Sequence, residues 1–278
     1  MALEDKAIVT VLRDLRVGLQ KISDDVRLKT EETSEAYVKS DLGLLPVLVK
    51  DADQVKALAI IDGTWQGTTA DRNNLIDSYF INVLDLTEAQ TKLAVIATGL
   101  SPADRQTEVN KRFDYVQPAL EAFLLQEQKE ALIRQKTAEV LQLEVPTANE
   151  LLTLLHLPGT TNTLLQTTNA PTLLSKQADG SYTFSLDETN FPDIFKSLRL
   201  LHKNALLIGK LKMKADELAW WLDGTHAADV DWMHPKDFPI DTTTSVAIAK
   251  WEHIQDFFRW KNNLPKSDLT AFDFLDKV

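Results

Sequence analysis

The chain has 278 residues, is 44% hydrophobic and carries a formal charge of −11, enough apolar material for one large or two ordinary domains. That composition excludes disorder, collagen-like repeats and small folds that depend on staples. The absence of cysteine excludes disulfides, thiolate metal sites, iron–sulfur clusters and cysteine nucleophiles. Residues 1–150 carry 17 Lys+Arg against 25 Asp+Glu, and residues 151–278 carry 13 against 16. Neither half can neutralise a run of phosphates, so no nucleic-acid partner is expected. No run of roughly 18 apolar residues is present, so no helix is expected to span a membrane directly. The opening MALEDKAIVT lacks a basic segment followed by an apolar one, so no signal peptide is visible.

Taken in chain order, the pattern is helical. Ile8, Val11, Leu12, Leu15, Leu19 and Ile22 repeat at helical spacing and predict a helix over 3–22. A second helix is predicted over 44–62, stopped at Asp62-Gly63. Thr87-x-x-Gln90 reads as a capping box for a helix that ends at Gly99. Ser101-Pro102 opens another, with serine as N-cap and proline at the first helical position. That helix extends to about Glu144, roughly 65 Å if straight, so either Pro118 kinks it or the molecule is elongated. Its apolar stripe is good at Phe113, Val116, Leu120, Phe123 and Leu124. It then thins to Ala131, Ala138 and Leu141, with Gln128, Gln135 and Gln142 on the same side. The weak face reads as a solvated surface or as a contact with a neighbouring chain.

Thr147-x-x-Glu150 reads as the cap of a short helix. The threonine- and asparagine-rich stretch that follows leads to Asp179-Gly180, with Tyr182, Phe184 and Leu186 alternating as one arm of a small β-hairpin. Helices resume with Ile194, Leu198, Leu201, Ala205 and Ile208, then over 214–223 up to Gly224. A further helix over 244–262 carries Ala247, Trp251, Ile254 and Phe258 and ends at Leu264-Pro265. Ser267 caps a last one. Five of the six tryptophans follow residue 219. The expectation is an all-α, multi-helix scaffold with at most one short β-hairpin. It divides into an N-terminal block with a long Pro-kinked helix (1–157), an irregular connection (158–190) and a Trp-rich helical block (191–278).

Candidate chemistry is sparse. No phosphate loop, dinucleotide fingerprint, nucleophile elbow or H-E-x-x-H pair occurs. The five histidines are His156, His202, His226, His234 and His253. Among them, His226-x-x-Asp229-x-Asp231-x-x-His234 has the residue types to ligate a divalent ion. Yet it is a loop with no enforced geometry, and Trp232 and Pro235 fit a packing turn equally well. His202 is flanked by core positions and reads as a packing histidine. Trp220 and Trp221 point about 100° apart on a helix, one buried and one half-exposed, which disfavours a flat ligand platform. No catalytic, cofactor-binding or metal-binding residue is assigned, and no cofactor is expected.

Residues 198–278 carry a resemblance. Leu201-His202-Lys203 leads into Glu217-Leu218-Ala219-Trp220-Trp221-Leu222. Trp251 through Trp260 follows, then Leu264-Pro265 and Ser267 through Leu275. This succession resembles the N-terminal helical shell region of the A component of bacterial Tc (ABC-type) insecticidal toxin complexes. The opening LRDLRVGLQKI and the segment LLPVLVKDADQVKALAIIDGT resemble the preceding helices of that region more loosely. Family members are very long chains with β, receptor-binding, channel and linker segments beyond this region. The resemblance implies a non-enzymatic structural role in a shell around a translocation channel assembled as a homopentamer. Its partners would be other segments or subunits of a large assembly released from the bacterial cell. The rival readings are a stand-alone cytoplasmic helical adaptor and a small metal-dependent hydrolase using the His226–His234 loop.

Overall fold

The computed structural model describes residues 3–29, 33–40, 48–223, 226, 230–240, 248–264, 272 and 275. Among them the chain is all-α, as the sequence predicts. Its elements are α1 (Asp5–Lys29), α2 (Ser34–Lys39), α3 (Asp51–Ile61), α4 (Thr69–Phe80), α5 (Leu86–Lys92) and α6 (Pro102–Leu141), followed by α7 (Val145–Leu154), α8 (Leu164–Thr168), α9 (Pro192–Leu211), α10 (Ala215–Leu222) and α11 (Ile248–Asn262). Short 3₁₀ turns occur at Pro171–Leu174 and Pro235–Asp237. The only extended pairings among the described residues are single antiparallel bridges, His156 with Thr163 and Lys176 with Tyr182. The second bridge closes the predicted Asp179-Gly180 turn. Ser181 N–H donates to the Asp179 carboxylate at 2.9 Å, and Gln177 N–H donates to the Ser181 carbonyl at 2.8 Å.

Two compact units emerge, residues 1–19 with 130–278 and residues 20–129. The expected blocks 1–157, 158–190 and 191–278 place the division elsewhere. The connection 158–190 lies inside the first unit because its Leu164, Leu165 and Leu173 are buried in that unit's core. It is also more regular than its composition implies. Thr163 and Gln166 form a reciprocal capping box that starts α8.

In the first unit, Ile8, Leu12, Leu15 and Leu19 of α1 share one apolar cluster with Leu151 and Leu155 of α7 and Leu198, Leu201 and Ile208 of α9. Leu218 and Trp221 of α10 and Ile254 and Phe258 of α11 belong to the same cluster. Helix α7 packs on α8 and α10, and α9 packs on α8 and α11. Arg16 joins α1 to the hairpin-like turn. Its guanidinium lies 4.3 Å from the Tyr182 ring centre and donates to the Phe184 carbonyl at 3.0 Å.

Helix α6 continues across Pro118 without a break. Its second half corrects the sequence reading. Ile133, Thr137, Ala138 and Leu141 are buried, whereas Ala131, Gln128, Gln135 and Gln142 are exposed. Of the predicted stripe, Ala138 and Leu141 are buried and Ala131 is not; the buried face also takes in Ile133 and Thr137, and Ile133 and Leu141 bury in this chain's own core.

In the second unit, Tyr37 and Val38 of α2 cluster with Ala57, Ile60 and Ile61 of α3, Ile76 and Phe80 of α4, and Phe113, Val116, Leu120 and Leu124 of α6. Helix α3 ends at Asp62 and Gly63, as predicted, with Gly63 at φ +74°. The helix does not run through from 44 as expected: Lys50 is extended (ψ 149°) and α3 begins at Asp51, while residues 44–47 lie outside the described ones. Ser101 caps α6 through Asp104 N–H at 3.2 Å. Two predicted caps are displaced. Asp85, not Thr87, accepts Glu88 N–H at 2.8 Å, and α5 stops at Lys92 rather than Gly99. Helix α7 starts at Val145 with Glu144 at its N-cap, leaving Thr147 buried inside it. Gly224, Ala247, Pro265 and Ser267 lie outside the described residues, and with them the predicted start of the 244–262 helix and the cap of the last one.

Candidate functional site

The loop holding His226, Asp231 and His234 is the sequence's best candidate for a metal centre, and the structure draws these residues apart. Lys236 N–H donates to His234 Nδ1 at 3.1 Å, so Nε2 carries the proton and donates to the Leu222 carbonyl at 3.1 Å. Both ring nitrogens thus hold backbone, and burial pushes the His234 pKa below the ordinary value. The His226 ring stacks on Trp220 with centroids 4.7 Å apart and planes 9° apart. Asp231 pairs with Lys250 at 2.8 Å, which holds its carboxylate below the usual range. Asp229 lies outside the described residues. Among the described residues, no three His, Cys, Asp or Glu side chains converge as a metal site.

What the loop does instead is pack. Trp221 Nε1 donates to the Met233 carbonyl at 3.1 Å, Asn204 Nδ2 donates to the Pro235 carbonyl at 3.2 Å, and Lys203 Nζ donates to the Pro239 carbonyl. These three donors and His234 tie residues 233–239 onto α9 and α10. Trp221 is fully buried and Trp220 half-buried, its edge contacts running to Trp232 at 5.6 Å and Phe272 at 4.9 Å. The tryptophan pair is core, as its helical spacing implies. His202 is half-buried on α9, its Nδ1 without a hydrogen-bond partner among the described residues, and burial lowers its pKa.

Among the described residues, three depressions stand out. One of about 320 Å³ lies at the start of α9, lined by Asn162, Gln166, Thr172, Asn190 and Asp193. One of about 570 Å³ is lined by His156, Pro158, Thr161, Lys236 and Asp237. The third, of about 390 Å³, lies in the second unit between residues 94–100 and the first turns of α6, and reaches Lys111 and Arg112. Sequence reasoning foresees none of them.

It also misses three arginines that the structure buries, Arg16, Arg72 and Arg112. A signal for them is present. Arg72 stands four residues before Ile76 and eight before Phe80, and Arg112 stands three after Val109 and four before Val116. Each arginine therefore occupies a place on an apolar face, where a charge is unusual.

Comparison with family models, with curated proteins and with solved structures found no match to this chain.

Proposed function

We propose that this chain is a helical scaffold, a shell segment of a Tc-toxin-A-like subunit that supports or encloses a translocation channel together with other segments or subunits in a homopentameric assembly. The observation that carries this reading is the employment of the residues that bear the resemblance. Lys203 holds the Pro239 carbonyl, Glu217 pairs with Lys261 at 2.5 Å, and Trp221 holds the Met233 carbonyl. All three fix helices and their connecting segment to one another, which is what a shell requires. No helix among the described residues is long and apolar enough to cross a membrane. On this reading the chain acts without a catalytic residue or cofactor and leaves the bacterial cell within a large complex.

The test is the mass of the polypeptide that an antibody raised against this chain detects in the source cells. A band several times larger than 31.3 kDa is the expected result. A band at that mass would overturn the shell reading and leave a stand-alone cytoplasmic adaptor in its place.

A further inference from the structure

We propose that the second unit, residues 20–129, holds an oxyanion-binding site at Arg112, one that takes the carboxylate or phosphate group of a small ligand. The argument begins with a charge that the protein does not neutralise. Arg112 lies on the buried face of α6 and is only 8% exposed. Its Nη2 donates to the Ala94 carbonyl, while the buried Nη1 has no acceptor among the described residues. Interior charges are ordinarily paired with an opposite charge and fully hydrogen-bonded. Arg112 is neither.

The acids near it are occupied. Asp62 accepts the Thr64 N–H at 2.9 Å and the Thr64 hydroxyl at 2.6 Å, and Glu108 pairs with Lys111 at 2.6 Å. A second buried guanidinium, that of Arg72, adds like charge. It is 5% exposed and its partners are neutral, Asn73 Oδ1 at 2.9 Å and the Gln90 carbonyl at 3.3 Å. Burial is the main influence that lowers the Arg112 pKa; Glu108 and Asp62 attract its charge, and Arg72 and Arg105 repel it. Two buried guanidiniums thus stand in one neighbourhood, and neither makes a salt bridge to a carboxylate among the described residues.

The backbone packs closely against this charge at Gly63, where no side chain would fit. Gly63 has φ +74°, and a Cβ there would lie 3.1 Å from Arg112 Nη1 and 2.6 Å from Ile96. The cavity of about 390 Å³ reaches the Arg112 side chain and has the volume of a small-metabolite site. At its rim stand Lys111, Asp104 and Glu108. Both carboxylates already hold a donor, Asp104 the Ser101 hydroxyl at 2.7 Å and Glu108 the Lys111 ammonium. The donor capacity left over belongs to the guanidinium, whose planar fork matches an oxyanion.

The experiment is thermal unfolding and calorimetric titration of the full chain with inorganic phosphate and, separately, acetate, at ionic strength held constant with chloride. The wild type should be stabilised saturably by at least one of the two, and the one that binds assigns the group as phosphate or carboxylate. Arg112→Gln should weaken that binding by about tenfold or more, and Arg112→Lys, which keeps the charge without the fork, by less. Glu108→Gln, an exposed change that removes a rim carboxylate and frees Lys111, should tighten it. If Arg112→Gln does not fold, Arg112→Lys and Glu108→Gln decide the matter. Identical responses to phosphate, acetate and chloride would overturn the site, as would binding that neither Arg112→Lys nor Glu108→Gln alters.

Discussion

Replacing Lys261 with methionine removes the counter-charge from a carboxylate that has almost no access to water. The Glu217 side chain is 7% exposed, and its two oxygens hold Lys261 Nζ at 2.5 Å and Lys214 N–H at 2.9 Å. Lys261 is 16% exposed and its ammonium lies 5.0 Å from the Phe258 ring centre. Methionine keeps the packed stem and deletes the charge, so the cost falls on the abandoned carboxylate. Stranding one partner of a buried pair costs about 3–5 kcal/mol. The remaining backbone donor at the start of α10 offsets part of that, which puts Lys261→Met near 3 kcal/mol. The reverse change, Glu217→Gln, retains an acceptor for Lys214 N–H. It leaves a cation on a long stem that can reach water, so its cost should be about 1–2 kcal/mol.

The asymmetry between the two variants is the point of the experiment, because packing loss alone would make them equal. Five of the six tryptophans lie in the first unit, so urea unfolding followed by tryptophan fluorescence reports on the unit that holds this pair. A double-mutant cycle isolates the pairwise energy. Lys261→Met costing less than Glu217→Gln would refute the assignment of the cost to the buried carboxylate.

Burial favours the neutral form of His234, so its folded pKa lies below the ordinary value of about 6.5. Its share of the stability is complete above that value and is lost as pH falls from there through the folded pKa, because the unfolded chain then binds the extra proton. His234→Gln, neutral throughout, should flatten the fall in the urea midpoint below pH 6.5 relative to wild type, and equal slopes would sink the idea. Gly209 lies inside α9, and a methyl group added there would meet nothing within 4 Å among the described residues, so Gly209→Ala should stabilise by about 0.5–1 kcal/mol. A lower melting temperature would refute it. Phe258 is fully buried among Trp232, Phe257 and Phe272, and Phe258→Ala should cost about 3–5 kcal/mol. Half-buried Trp251, which meets Phe238 edge-on at 6.3 Å, should cost about 1–3 kcal/mol when cut to alanine, and the reverse order in denaturant titrations would overturn this ranking.

Where several large apolar residues repeat along one face, the sequence announces both the helix and its buried side. Ile8 to Leu19 on α1 and Ile194 to Ile208 on α9 are such cases, and all but the partly buried Ile22 of the predicted stripes are buried. The second half of α6 offers only Ile133 and Leu141 as large members of its buried face. Ala131 stands on the exposed side with Gln128, Gln135 and Gln142, and the small side chains of Thr137 and Ala138 give the buried side little hydrophobic contrast against it. Caps fail for a related reason. Thr87 and Thr147 satisfy the spacing of a capping box, but a helix starts where the first free N–H groups find an acceptor. Asp85 supplies one two residues earlier than Thr87, and Pro146 fixes the backbone at the start of α7.

The division into units cannot be read along the chain at all. It depends on α1 and the end of α6 burying the same cluster as residues far downstream, whereas a polar composition such as that of 158–190 looks like a boundary whether or not its few leucines are buried. The candidate site shows the same limit from the opposite side. His226, Asp231 and His234 carry ligand chemistry at plausible spacing, but the spacing in a loop constrains no direction, and Lys236 N–H, Lys250 and the Trp220 ring each claim one of them. Arg112 carries no motif, yet its position three residues from Val109 and four from Val116 fixes it on an apolar face. A helix constrains direction, and that is why a single misplaced charge on α6 says more about binding than four potential ligands in a loop.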